Sequence, residues 1–264
     1  MPMSDGFPVE APRSFEEFSA CEKLQEVLDP PVPAVVPAWH LWELAQAGAV
    51  LRVCFDGLGM AREPLGLVLA LSQGTALRAV LYGVRRDLAQ PEEVFGAIVA
   101  EIFSQAQNKN ATEILWPFDP LEPRWAELFL EVLGAEARRY ELRRDRSGEI
   151  RYLRALASLP VGKGPLPKAW KTAALKGFFP VNTTRPAPGG LREPASWNLH
   201  LTAPHLVLEI PGRGMASLPT SLAKPWRGAW EALEAYFDRG YALAGLYRQG
   251  DRAFLVLERK SADR

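Results

Sequence analysis

The sequence predicts an α+β fold, a mixed and mostly antiparallel sheet flanked by helices. Two apolar runs, Val50–Phe55 and Leu65–Leu71, are joined by a glycine-bearing loop and read as a β-hairpin. Pro91–Gln107 carries Val94, Ile98 and Ile102 in one row and Phe95, Val99 and Phe103 in the next, a stripe broad enough to cover a sheet. The succession strand, helix, strand, strand then occurs twice, at 113–157 and again at 205–259.

In chain order, Met1–Pro12 is polar and Pro-rich and reads as a loose arm. Ser14 with Glu16 and Glu17 marks a capped helix start, and Phe18, Cys21, Leu24, Gln25 and Val27 continue the helix. Pro30–Pro37 breaks it, and Trp39–Ala47 is a short second helix ending at Gly48. After the hairpin, Ala76–Val84 is a third strand and Arg85–Asp87 leave it. Glu113–Trp116 is a buried strand, and Pro117 and Pro120 interrupt its ladder because proline has no N–H to give. Pro123 suits a helix start, Leu128, Leu130, Val132 and Leu133 are expected on its apolar side, and Gly134 fits a left-handed C-cap. Arg138–Arg144 and Glu149–Ala157 close a hairpin around Asp145–Gly148.

Leu159–Ala203 is rich in proline and glycine, with isolated aromatics at Trp170, Phe178, Phe179 and Trp197. It reads as a connector wrapped over the surface, with a turn or two of helix at Lys168–Lys176. Order returns with a strand at His205–Ile210 and a helix from Lys224-Pro225 bearing Trp226, Trp230, Leu233 and Phe237 on one face. Tyr241–Tyr247 and Ala253–Glu258 flank a Gln249-Gly250-Asp251 turn. Three segments are therefore expected: a domain at 1–158, a connector at 159–204 and a β-α-β-β unit at 205–264. The last either duplicates 113–157 or matches it because similar turns need similar residues.

The chain has 264 residues, 48% of them hydrophobic, which is ample for a core. Lys plus Arg and Asp plus Glu number 31 each, a balance that argues against a general nucleic-acid binder. No apolar run has the length of a membrane span, and the N-terminus has no signal-peptide pattern, so a cytoplasmic protein is expected. Cys21 and Cys54 stand alone among apolar neighbours and read as buried thiols.

The stretch Glu113–Tyr140 resembles the GNAT superfamily of acyl-CoA-dependent N-acyltransferases, in a branch where a strand ending W-x-F-D-P-L precedes R-N-A and L-G-A. Trp116, Phe118, Asp119, Pro120, Leu121, Arg124, Ala126, Leu133, Gly134 and Ala135 stand in that pattern, followed by Tyr140. Ala20–Gln25, Val35–Ala38 and Phe55–Gly57 match further stretches, so the resemblance spans roughly residues 14–145. It implies a GNAT-like sheet, an acyl-CoA cofactor, and a small amine or amino acid as acceptor. It also implies a cofactor position along Tyr82, Val84 and Trp116, with the pyrophosphate against the helix start at Gln90–Phe95.

Two departures accompany the resemblance. The family's pyrophosphate loop has closely spaced glycines that let backbone N–H groups approach the phosphates. Here the loop is RRDLAQPEEVFGA, with Gly96 alone and Glu92 and Glu93 in the first helical turn. At about 6 Å and an effective dielectric of about 40, each carboxylate–phosphate pair costs ~1.4 kcal/mol. Four such pairs give on the order of 5 kcal/mol before salt screening, or about three decades of affinity. Secondly, Trp125, Phe129 and Glu131 stand where the family has asparagines, and aromatic rings bury area rather than orient an amide.

What remains as catalytic candidates is Asp119 to position an amine, Arg124 to hold a carboxylate, and Tyr140 to protonate a leaving thiolate. Each has a structural alternative: Asp119 as a turn residue, Arg124 as a surface pair, Tyr140 as a half-buried strand residue. Gly212-Arg213-Gly214 looks like a phosphate nest without the Lys-Ser/Thr of a P-loop. The sequence supports two functions: an acyltransferase divergent at its pyrophosphate loop, or a catalytically silent protein that binds another ligand or partner. A homodimer through the C-terminal unit belongs to the second.

Overall fold

A computed structural model describes residues 7–30, 34–57, 62–162 and 177–260. They form two compact units, one of residues 1–115 with 160–162 and one of 116–159 with 163–264.

In the first unit, β1 (Val9–Glu10) pairs with β3 (Val50–Asp56), which pairs with β4 (Glu63–Gln73), which pairs with β5 (Ala76–Arg85), all antiparallel. The start of β6 (Glu113–Phe118) joins β5 in parallel at Ala76↔Glu113, Leu77↔Ile114 and Arg78↔Leu115. The N-terminal arm is thus ordered at Val9–Glu10, because it gives β3 an edge partner; Met1–Gly6 lies outside the described residues.

Strand alternation sends Leu51, Val53, Phe55, Leu67 and Leu69 to one face. There they meet Phe18, Cys21 and Leu24 of α1 (Phe15–Leu24) and Leu41 of α2 (Ala38–Gln46). Ser14 caps α1 as expected, its Oγ accepting the Glu17 N–H at 3.3 Å. The other face is covered by α3 (Pro91–Asn108), whose Val94, Phe95, Ile98, Val99 and Ile102 are buried. Cys21 and Cys54 are free, buried thiols, both pushed up to about 12, first by burial and then by the nearby Glu17 and Asp56 carboxylates respectively.

In the second unit the strand order is β8 (Ile150–Pro160), β7 (Glu136–Arg144), β13 (Tyr241–Gln249), β14 (Arg252–Arg259), β12 (His205–Ile210), β9 (Phe179–Pro180). Only β9–β12 is parallel. The connector is corrected here. Beyond β9 it makes an antiparallel ribbon of β10 (Asn182–Ala187) and β11 (Leu191–Trp197) around Pro188-Gly189-Gly190. Two strands leave outer edges on which Pro186 and Pro194 fit. The buried Asn182 ties the ribbon to Glu209 of β12: its Nδ2 donates to the Glu209 carbonyl at 3.0 Å and its Oδ1 accepts the Glu209 N–H at 2.9 Å. Trp170 and Lys168–Lys176 lie outside the described residues.

The helix after β6 is α4 (Pro123–Ala126) continued by a π-helical turn, Glu127–Val132. The wider i→i−5 turn rotates the faces, so Phe129 and Leu130 are buried while Val132 is 39% exposed, contrary to the expected stripe. Gly134 ends it at φ 66° as expected, a conformation only glycine adopts cheaply. The C-terminal helix begins earlier than expected, as α5 (Thr220–Trp226) with Pro225 inside it, followed by α6 (Gly228–Phe237).

The separation that carries Gly134 to Gly240 also carries Ala137 to Leu243, and these two face each other where β7 meets β13. It likewise carries Tyr140 to Leu246 and Glu131 to Phe237. Tyr140 stacks on Phe237 at 5.3 Å, and the Leu246 N–H donates to Glu131 Oε1 at 2.6 Å.

Trp226 and Trp230, 1% and 7% exposed, are core residues of this unit. Trp226→Ala should therefore lower stability by about 3–5 kcal/mol in urea unfolding, whereas Trp39→Ala, at a side chain 54% exposed, should cost less than about 1 kcal/mol.

Candidate functional site

The edge of β5 that the resemblance assigns to a cofactor is taken by the chain itself. A two-residue strand, β2 (Leu28–Asp29), pairs antiparallel with β5 at Leu28↔Arg85 and Asp29↔Val84. Val84 already faces Gly66 of β4 on its other side, so both edges of β5 are used at this level. The Arg86 N–H donates to the Val27 carbonyl at 3.1 Å, and Arg86 Nε to the Leu28 carbonyl at 2.8 Å. Gly83 makes room for this approach: a Cβ there would lie 3.0 Å from the Asp29 carbonyl oxygen and 3.1 Å from Leu28 Cβ.

Three of the expected cofactor contacts are core in this unit. Val84 is 1%, Phe95 2% and Tyr82 7% exposed, and the Tyr82 and Phe95 rings meet edge to face at 6.2 Å. Their side chains hold α3 on the sheet. Gln90 is the exposed N-cap residue of α3 and makes no side-chain cap bond, while Glu92 and Glu93 occupy the first turn, exposed. Their charge therefore acts on the helix end through space.

In the second unit, Trp116 is fully buried against Phe129 at 5.6 Å, and Phe118 and Trp125 lie 5.2 and 6.2 Å from the same ring. Two of the positions where the family has asparagine, Trp125 and Phe129, thus build an aromatic cluster. The third, Glu131, satisfies a backbone amide of β13. Trp116 is a member of that cluster. Arg124 is exposed, its guanidinium 5.8 Å from the Trp125 ring.

The Tyr140 hydroxyl donates to Asp238 Oδ1 at 2.8 Å, and it is pushed up to about 12, first by burial and then by Asp238 and Glu234. The Tyr140 hydroxyl is thus engaged by Asp238 in the second unit.

Asp119 keeps chemical interest. Its Oδ1 accepts the Leu121 N–H at 2.9 Å, an Asx turn at the end of β6. Burial raises its carboxyl to about 6, opposed by the Leu121 N–H, the Trp230 indole and the Arg154 charge. The indole N–H is buried beside the carboxyl but falls short of regular hydrogen-bond geometry with it. A carboxyl titrating near neutrality can hold or release a proton at Oδ. Sequence reasoning located Asp119 but missed Trp230 and Arg154, which lie far from it along the chain.

The nest-like Gly212-Arg213-Gly214 turn already holds an anion of the protein itself. Glu122 Oε1 accepts the Ala216 N–H at 3.0 Å, and the same carboxylate lies against Gly214. Also absent from the sequence reading is the buried Glu209 on β12, which binds Arg252 through Nε at 3.0 Å and Nη2 at 2.7 Å and Arg192 through Nε at 3.1 Å. Its only signal was an acid inside an apolar strand.

No family model matches the sequence, and no curated protein does. Among solved structures the chain is similar to the ribosomal-protein-S18-alanine N-acetyltransferase from Escherichia coli, at 9% identity over 63% of this chain and 97% of that one, TM-score 0.45. It is similar to the PaiA N-acetyltransferase from Thermoplasma acidophilum, solved with coenzyme A, at 5% identity over 59% and 99%, TM-score 0.42. A third is a GNAT superfamily phosphinothricin acetyltransferase from Sinorhizobium meliloti, solved with AcCoA, at 11% identity over 64% and 96%, TM-score 0.43.

Asp119 sets a pH dependence of stability. Its carboxyl ionises near 3.9 when unfolded and at about 6 when folded, so the native state binds the extra proton between those values. Its contribution is present below pH ~4 and is lost as pH rises through ~6. Asp119→Asn, which keeps an acceptor for Leu121, should match the parent protein in urea unfolding at pH 4 and exceed it by about 1–3 kcal/mol at pH 7.5.

Proposed function

We propose that this is a GNAT-type protein whose acyl-CoA position is closed by its own chain, and that it works as a ligand-binding protein rather than as an acyltransferase. The observation that carries the reading is the pairing of Leu28–Asp29 with Val84–Arg85. A pantetheine arm at that level of β5 would need backbone groups already bonded to β2. The acidic first turn of α3 and the aromatic cluster around Phe129 support the same reading, because each replaces a polar cofactor contact by structure. The exchange of contacts about β7 and β13 supports a duplicated second half that enlarges the sheet, a device of scaffold rather than of catalysis.

One observation favours the second reading, an N-acyltransferase using acyl-CoA and a small amine or amino acid. Asp119, raised to about 6, has the proton affinity of a general base for an ammonium substrate.

Acetyl-CoA separates the two. A ligand at a hundred times its Kd stabilises the native state by about 2.7 kcal/mol. The closed-site reading expects no shift in thermal unfolding at about 1 mM acetyl-CoA, a concentration that saturates sites of ~10 μM affinity. A saturable upward shift, with acetylation of an added amine that Asp119→Asn abolishes, would establish the transferase instead.

A further inference from the structure

The first unit carries a cavity open to the surface, of about 590 Å³, beside the end of α1 and the turn after β5. That volume falls within the ~300–1,000 Å³ typical of small-molecule sites. Its apolar lining is Ala20, Leu24, Val27 and Pro64, and Val27 is 47% exposed. The charged groups around it are unevenly engaged. Arg85 is taken by Glu63 at 2.5 Å and by Asp87 at 2.7 Å. Lys23, Arg86 and Glu26 also line the cavity, and among the described residues none of the three has an ion-pair partner. The three cations and three carboxylates of the lining balance, and Lys23 and Arg86 are its cations without an ion-pair partner among the described residues.

Arg86 is also oriented. Its Nε donates to the Leu28 carbonyl at 2.8 Å, which fixes the guanidinium plane and leaves the two terminal nitrogens as a fork. Such a fork matches the two oxygens of a carboxylate, and holding it in place beforehand lowers the entropy lost on binding.

We propose that this cavity binds a small amphipathic carboxylate. Its aliphatic or aryl body covers Leu24, Val27 and Pro64, and its carboxylate meets the Arg86 fork with Lys23 as a second cation. The site lies wholly in the first unit and does not depend on whether acyl-CoA binds.

Calorimetric titration of the full chain with octanoate, octylamine and acetate tests the assignment. Octanoate should bind saturably, with octylamine and acetate at least about tenfold weaker, since one lacks the negative charge and the other the apolar body. Arg86→Ala and Arg86→Lys should each weaken octanoate by about tenfold or more, because lysine restores charge but not the fork. Lys23→Ala and Val27→Glu alter exposed side chains and keep the test decisive if loss of the Leu28 contact unfolds the Arg86 variants; both should also weaken octanoate. Absence of saturable heat with octanoate, equal binding of octylamine, or undiminished binding by the Lys23 and Val27 variants would overturn the assignment. Octanoate binding and acetyl-CoA binding can fail separately, so the result is distinct from the fate of the closed-site reading.

Discussion

Two backbone pairings, Leu28 with Arg85 and Asp29 with Val84, close the edge of β5 in the first unit. A strand edge can satisfy one partner. When that partner is a segment of the same polypeptide, an incoming ligand must displace it and leave buried amides and carbonyls in need of new bonds. Gly83 is the local condition for the pairing, since any side chain there would meet Asp29 and Leu28. Arg86 adds a backbone bond and a side-chain bond on the same segment, so the closure is held at three consecutive residues, Val84, Arg85 and Arg86.

The second unit shows the same tendency by different means. Phe129 gathers Trp116, Phe118 and Trp125, Glu131 serves a strand amide, Glu122 fills the glycine turn, and Tyr140 is bound to Asp238. Polar groups that a catalytic cleft would hold ready are engaged inside the fold. Burial raises the proton affinity of Asp119 toward neutrality, at some cost in stability.

Much of the fold was legible in the residues, for identifiable reasons. The 3.6-residue rows of Val94, Ile98 and Ile102 and the alternation in β3 and β4 are local patterns whose periods admit one reading. Ser14 and Gly134 marked helix ends because capping is local chemistry. The ribbon at 182–197 was not legible: its prolines suggest a loop, and only the two-stranded pairing of β10 with β11 gives them outer edges to occupy. The helix start at Thr220 was hidden because Pro225 looked like a beginning.

The site was less legible than the fold. The loss of the glycine loop could be read directly, and so could the replacement of asparagine by Phe129. That Val27–Asp29 would turn back onto β5 could not, because two extended residues before Pro30 carry no pattern naming a strand more than fifty positions away. Long-range pairing is chosen by the collapsed fold, and the burial of Val84, Tyr82 and Phe95 follows from it.

Amide hydrogen exchange at Arg86 probes the closure at its own atoms. The account predicts that this N–H, bonded to the Val27 carbonyl at 3.1 Å, is protected in the free protein and that its protection is unchanged by about 1 mM acetyl-CoA. Exchange as fast as that of an open loop, or a change in its protection when acetyl-CoA is added, would contradict it.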